Sequence, residues 1–128
     1  MLGTGELRQY DVSDPFHPAF TGSVKLGGIV ARSAHPSAPE RRLNGGPQMV
    51  EVSRDGQRVY VTNSLYTPWD AQFYPDGIRG WIAKIDAAPG GGIAADRRFL
   101  VELEDGLRPH QVRLQGGDAS SDSFCYAE

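Results

Sequence analysis

Apolar side chains form two short runs near the middle of the chain, at residues 49–52 and 59–62. Each run is long enough for one short strand. Asp55 and Gly56 lie between the runs, and this pair is typical of a tight turn because glycine accepts the positive φ that such a turn requires. The pattern predicts a β-hairpin, and an isolated hairpin is only marginally stable in water, so it requires neighbouring strands.

Further short apolar runs along the chain predict those neighbours. They fall at residues 5–12, 20–26, 80–86, 98–103 and 108–114. Sixteen glycines and nine prolines favour short strands and many turns over long helices. Residues 27–46 form a long connection, which in a compact domain is either functional or disordered. Residues 64–76 form an aromatic loop with room for one helical turn, in which Asp70 and Asp76 are interpreted as structural.

Parts of the chain repeat a similar pattern. Residues 5–11 and 24–26 parallel residues 80–86 and 101–103, and residues 46–52 parallel residues 108–114. The order predicts an all-β, partial β-propeller: the end of one blade, one complete four-stranded blade and the start of the next. A sandwich of about seven antiparallel strands is the alternative that this short similarity leaves open. In a propeller the remaining blades, absent from this chain, would cover apolar faces that it exposes.

Composition and charge exclude several classes of protein. The chain has 128 residues, a length that fits one domain. Its formal net charge of −3 gives no indication of a basic surface that would bind nucleic acid. No apolar run approaches the roughly 20 residues that span a bilayer. The first residues have neither a basic nor an apolar region, so no signal peptide is predicted, and a cytoplasmic or periplasmic location stays open. One cysteine, Cys125, cannot form an internal disulfide.

Several segments resemble the selenium-binding protein family, also called methanethiol oxidases. The most specific are the Gly-Gly-Pro-Gln-Met sequence at residues 45–49 and the Asp-x-Gln-Phe-Tyr-Pro sequence at residues 70–75. The wider resemblance takes in residues 5–15, 43–50, 60–66, 69–75 and 116–122. Family members are much longer, so the resemblance identifies residues 1–128 as the C-terminal part of a β-propeller domain, a fragment that is incomplete.

The resemblance also implies an activity. Members oxidise methanethiol with O2 and water to formaldehyde, hydrogen sulfide and hydrogen peroxide, so a small thiol is the expected substrate. Copper is the implied cofactor in bacterial members, and selenium binding gives the family its name. The fragment alone is expected to be inactive. A non-catalytic propeller that serves as a binding or trafficking scaffold is the alternative, because the Tyr-Val-Thr-Asn sequence at residues 60–63 also occurs in propeller repeats of binding proteins.

A copper site requires imidazole or sulfur ligands, and two histidines are the predicted metal ligands. His110 lies at the start of an inferred innermost strand, and in a propeller those strand starts line the central channel. The family carries a histidine at the matching position. A surface or structural histidine that binds a loop is the alternative for His110. His35 is the second candidate, because the long connection that contains it could cap a site.

Other potential ligands and acids are given different roles. His17 is expected in an exposed turn, and Met49 in the packing of a strand. No selenium role is carried onto Cys125, because the cysteine usually associated with selenium lies in a part of the family that this chain lacks. Asp118 and Asp122 could transfer protons as a pair, but carboxylates that bind backbone amides in a turn are the favoured interpretation.

Overall fold

The computed structural model describes residues 3–63, 66–116 and 118. These ranges contain strands and one short helix, which confirms the all-β class. The elements are β1 (Glu6–Asp11), β2 (Ala19–Lys25), β3 (Ser33–Ala34), β4 (Arg42–Leu43), β5 (Pro47–Val52), β6 (Arg58–Asn63), α1 (Thr67–Phe73), β7 (Trp81–Ala87) and β8 (Ile93–Glu102).

The predicted hairpin forms the first half of a four-stranded antiparallel sheet. Its strands β5, β6, β7 and β8 are hydrogen-bonded in chain order, so each connection joins neighbouring strands. Strands β1 and β2 form a second antiparallel pair, and the two-residue strands β3 and β4 form a third. The long connection of residues 27–46 is therefore partly ordered into a short ribbon.

The turn of the central hairpin is closed by side-chain hydrogen bonds as well as by glycine. The Asp55 carboxylate accepts hydrogen bonds from the Ser53 hydroxyl at 2.5 Å and from the Gln57 backbone N–H at 2.9 Å. Both hydrogen bonds lower the pKa of Asp55, and the bond from the Ser53 hydroxyl has the larger effect. Gly56 has a φ of 71°, in the region that favours glycine. The Asp-Gly pair thus acts through both of its residues.

One face of the four-stranded sheet packs against the β1–β2 hairpin. Val61, Ala83 and Ile85 point to this face and are fully or nearly fully buried. The core is completed by Trp81 from β7, by Leu26, which follows β2, and by Leu43, which ends β4. Leu7 and Val24 are partly buried beside them. Burial of this apolar surface is the main stabilising contribution expected for the fold.

The opposite face of the sheet is more polar. Tyr60 packs edge-to-face on Phe99, with ring centroids 5.7 Å apart. Beside them the Lys84 ammonium lies 2.8 Å from the Asp96 carboxylate. The Lys84 hydrogen bond, followed by one from the Arg98 backbone N–H, lowers the pKa of Asp96. The hydrogen bond between Lys84 and Asp96 also raises the pKa of Lys84.

The lowered pKa of Asp96 gives a pH-dependent contribution to stability. An acid with a depressed pKa in the folded state stabilises the protein above its unfolded pKa of about 3.9, and this contribution is lost as pH falls through the folded pKa. We expect Asp96→Asn to be less stable than the wild type at pH 7, with a smaller difference between the two proteins at pH 2. Urea unfolding at both pH values measures this, with exposed Asp76→Asn as the control. A difference that persists unchanged at pH 2 would contradict the assignment.

Three sequence predictions need correction. The strand predicted at residues 108–114 is wrong: in the described part of the chain these residues have no strand conformation and belong to none of the three sheets. The segment lies instead on the polar face of the sheet, where Gln111 and Val112 border a cavity of about 190 Å³ with β5 and β6. Strand β8 begins at Ile93, five residues before the predicted start, and the aromatic loop contains a seven-residue helix.

Candidate functional site

A fully buried asparagine organises one end of the four-stranded sheet. Asn63, the last residue of β6, accepts a hydrogen bond from the Trp81 backbone N–H at 2.6 Å. Its amide nitrogen donates to the carbonyl oxygens of Arg79 at 2.9 Å and Asn44 at 3.4 Å. The Trp81 indole also donates to the Asn44 carbonyl at 3.0 Å. These bonds join β6, the start of β7 and the loop that leads into β5.

An apolar pocket of about 250 Å³ opens beside this end of the sheet. Helix α1 forms one wall with Trp69 and Phe73, which are four residues apart and so share a face. The rest of the lining is Ile29, Gly45, Gly46, Asp70 and Tyr74. Proline in the first turn favours the start of α1, since it lacks the N–H that a helix start leaves unpaired. Glycine at residue 45 has a φ of 76° and leaves room for Asn63 and Ile78.

The polar groups that border the pocket are engaged by the protein. The Asp70 carboxylate lies 3.5 Å from the Arg108 guanidinium, and both side chains are largely buried. Arg108 also donates to the Ile78 carbonyl at 2.6 Å. Burial raises the pKa of the Tyr74 hydroxyl, an effect opposed by the backbone N–H groups of Gly45 and Gly46. The pocket surface itself is therefore almost wholly apolar.

His110, the first predicted metal ligand, lies at the same end of the sheet. Its side chain is exposed, and its backbone carbonyl accepts a hydrogen bond from the Thr62 hydroxyl at 3.4 Å. Thr62 directly precedes Asn63, and Arg108, which binds the pocket residue Asp70, is two residues before His110. The His110 backbone is thus held at this end of the sheet, and the exposure of the residue leaves it accessible.

His35, the second predicted ligand, is buried with 6% of its surface exposed. Its Nδ1 atom lies 3.2 Å from both the backbone N–H and the hydroxyl of Ser37, so it accepts the N–H bond. Its Nε2 atom lies 3.6 Å from the Glu102 carboxylate, which also binds the Arg41 guanidinium at 2.5 and 2.6 Å. This set of contacts ties the connection of residues 27–46 to the end of β8.

The other singled-out residues are placed as follows. His17 is exposed and lies 2.8 Å from the Asp14 carboxylate, whose pKa this hydrogen bond lowers. Asp118 binds Arg58 at 2.6 Å, and its carbonyl accepts a hydrogen bond from the Arg54 N–H, so it holds the last described residues against the central hairpin. Met49 lines the cavity on the polar face. Cys125 and Asp122 lie outside the described residues.

Copper, implied by the resemblance, can be tested against these positions. Among the described residues no group of three or more histidine, cysteine, aspartate or glutamate side chains could hold a metal ion. His35 already uses Nδ1 as an acceptor, the exposed His17 lies against the Asp14 carboxylate, and His110 offers a further exposed imidazole. The described residues therefore do not form a copper site by themselves.

The one helix among the described residues, α1, has seven residues and is too short to span a membrane.

Two features of this site were not predicted from the sequence. The first is Asn63, which was noted only as part of the Tyr-Val-Thr-Asn sequence at residues 60–63; an asparagine directly after an apolar run could have signalled a buried polar link. The second is the Asp70–Arg108 pair, which joins segments that are 38 positions apart by their residue numbers. Aspartate and arginine are rarely buried unless paired, but the sequence does not say which partner each one finds.

The fold and the pocket define an all-β protein with an apolar pocket at one end of an antiparallel sheet. The sequence matches the family described as 56kDa selenium binding protein (SBP56) over residues 1–125. The chain therefore belongs to the selenium-binding protein family, as the resemblance predicted.

Individual relatives agree with this assignment. Methanethiol oxidase from Homo sapiens is 41% identical over 140 aligned positions, which cover 92% of this chain and 30% of that protein. Selenium-binding protein 3 from Arabidopsis thaliana is 36% identical, with coverage of 92% and 29%. The X-ray structure of a hypothetical selenium-binding protein from Sulfolobus tokodaii matches with a TM-score of 0.86 and 59% identity, over 98% of this chain and 27% of that one. The chain thus spans less than a third of these relatives.

Proposed function

We propose that the protein to which this chain belongs is a methanethiol oxidase. The observation that carries the proposal is the 41% identity to a relative of that name over 92% of the chain. The reaction converts methanethiol, O2 and water into formaldehyde, hydrogen sulfide and hydrogen peroxide. Carbon is oxidised by two electrons and O2 is reduced by two, so the equation balances without another reactant. An apolar pocket suits a substrate as small and apolar as methanethiol.

We propose the partial β-propeller as the architecture in which this activity is built. The four-stranded sheet in chain order has the form of one blade, and the β1–β2 pair that packs on its apolar face has the form of the outer half of the preceding blade. Residues 108–114 would begin the next blade, and they would gain strand pairing only from a partner strand that the described residues do not supply.

For the metal we propose His110 as a ligand contributed by this chain. Copper, when bound, would supply the one-electron chemistry that O2 reduction requires. The remaining ligands would come from outside the described residues, since these hold no complete set. His35 could join them only by giving up its contacts with Ser37 or Glu102, which makes it the weaker of the two predicted ligands. Selenium binding stays a proposal from the family name alone.

Substitution of His110 in the full-length protein tests this function. We expect His110→Ala to lose most of the bound copper, because an imidazole ligand is removed, and to lose release of hydrogen peroxide and sulfide from methanethiol in parallel. Metal analysis and product assays on the same preparation measure both. His17→Ala is the matched control, since His17 is also exposed and its imidazole lies 2.8 Å from the Asp14 carboxylate. Full copper and full activity in His110→Ala would contradict the ligand role.

A second candidate is a non-catalytic scaffold, favoured by relatives named only for selenium binding, such as selenium-binding protein 2 of Mus musculus at 39% identity. The scaffold would be supported if the full-length protein holds no copper and produces no hydrogen peroxide from methanethiol. In that case His110→Ala should also leave the binding of partner proteins unchanged.

A further inference from the structure

The apolar pocket beside helix α1 limits the size of what it can hold. Its volume of about 250 Å³ is large enough for a small molecule and too small for a peptide. Trp69 and Phe73 form one wall and are 60% and 48% exposed, so both side chains keep apolar surface in contact with water. A bound apolar molecule would remove part of that surface from water, which favours binding.

The surroundings of the pocket also limit the charge of its ligand. Asp70 is engaged by Arg108, and the Tyr74 hydroxyl faces the backbone N–H groups of Gly45 and Gly46. A charged or strongly polar ligand would lose its hydrogen bonds to water on entering the pocket. Asp70 and Tyr74 already bind other protein groups and would not replace those bonds, so binding of such a ligand would cost free energy. The pocket therefore suits an uncharged, apolar molecule.

Aromatic walls favour one further property. Divalent sulfur makes favourable contacts with aromatic rings, with the sulfur about 5 Å from the ring. We propose that Trp69 and Phe73 are specificity-determining side chains that hold the carbon–sulfur end of a small uncharged thiol or thioether in this pocket. The choice of a sulfur compound rests on the proposed function, whereas the size and the absence of charge rest on the pocket alone.

Binding can be measured without turnover. The full-length protein is treated with a chelator, kept free of O2 and titrated with dimethyl sulfide, which has no S–H to oxidise; binding is followed by saturation-transfer NMR. We expect saturable binding that weakens roughly three- to ten-fold in Phe73→Ala, because one apolar wall is lost. Tyr66→Ala is the control: Tyr66 is 57% exposed and contacts Trp69, with ring centroids 5.8 Å apart, but does not line the pocket.

A second variant changes the pocket in the opposite direction. Ile29→Phe adds volume to the lining, and Ile29 is 41% exposed, so the larger ring can be accommodated without loss of the fold. We expect this variant to discriminate against propanethiol relative to methanethiol, and Phe73→Ala to accept propanethiol better. In the oxidation assay we expect both variants to change the KM values for these thiols and to retain the kcat for methanethiol.

The outcomes separate this inference from the proposed function. Dimethyl sulfide binding that changes in Phe73→Ala and Ile29→Phe, in a protein that does not oxidise methanethiol, supports the pocket and refutes the oxidase. Oxidation of methanethiol with KM unchanged in both variants supports the oxidase and refutes the pocket. Binding that is absent, or that is unaffected by both Phe73→Ala and Ile29→Phe, also overturns the pocket.

Discussion

Gly5→Ala should destabilise the protein by more than about 4 kcal/mol and leave little folded material at 37 °C. A Cβ atom at Gly5 would lie 1.7 Å from the Gly27 carbonyl oxygen, a backbone atom that cannot turn aside as a side chain does. Relief requires the start of β1 to move away from residues 27–28, and this movement would break the 2.8 Å hydrogen bond from the Leu26 N–H to the Gly5 carbonyl. Urea unfolding followed by circular dichroism measures the loss.

Gly56→Ala is the matched control for this prediction. Gly56 has nearly the same φ as Gly5, 71° against 65°, but a Cβ atom at Gly56 would meet no atom within 4 Å. Its substitution should therefore cost only the backbone strain of the left-handed conformation, about 1–2 kcal/mol. The difference between the two variants isolates the steric contact. Equal losses in both would show that the approach of Gly5 to Gly27 does not exist in solution.

Asn63→Ala should lower the free energy of unfolding by about 3 kcal/mol or more. The substitution leaves the buried Trp81 N–H and Arg79 carbonyl without their partner, and each buried unsatisfied group costs about 1–3 kcal/mol. The loss should also loosen the loop at residues 44–46 and with it the wall of the apolar pocket. Chemical denaturation gives the first effect and the affinity for dimethyl sulfide the second.

Asn44→Ala provides the comparison for Asn63→Ala. It deletes the same amide group from the adjoining loop but keeps the backbone carbonyl that accepts bonds from Asn63 and Trp81. We expect a change within about 1 kcal/mol, as for most substitutions that break no buried contact. If the two variants lose the same stability, the Asn63 amide does not have the central role that its hydrogen bonds indicate.

Much of the sheet could be predicted from the sequence because its signals are local. The apolar run of Val59, Tyr60 and Val61 and the Asp-Gly turn predict β5 and β6 within two residues of their observed bounds. Strand β7 also lies within one residue of its predicted place. Residues 108–114 have an equally local strand pattern, but a strand needs a partner, and that requirement cannot be seen in the segment itself.

The candidate site was harder to predict because it depends on contacts between distant segments. His110 could be singled out from its residue type and its place in the repeat. The pocket combines Ile29, the loop at residues 45–46 and helix α1, and no short pattern announces that these three segments meet. His35 shows the converse: its residue type suggested a ligand, while its fixed contacts with Ser37 and Glu102 could be known only from the fold.

The packing of Leu26 and Leu43 against Val61 and Ile85 has a consequence for how the chain loses its structure. The apolar face of the four-stranded sheet has no cover of its own, since its cover comes from residues that precede it in the chain. Detaching the β1–β2 hairpin would expose that face to water, so the hairpin and the sheet should open together as one cooperative unit. The contacts that define this unit join residues far apart in sequence, which makes its formation slow relative to a helical chain of the same length.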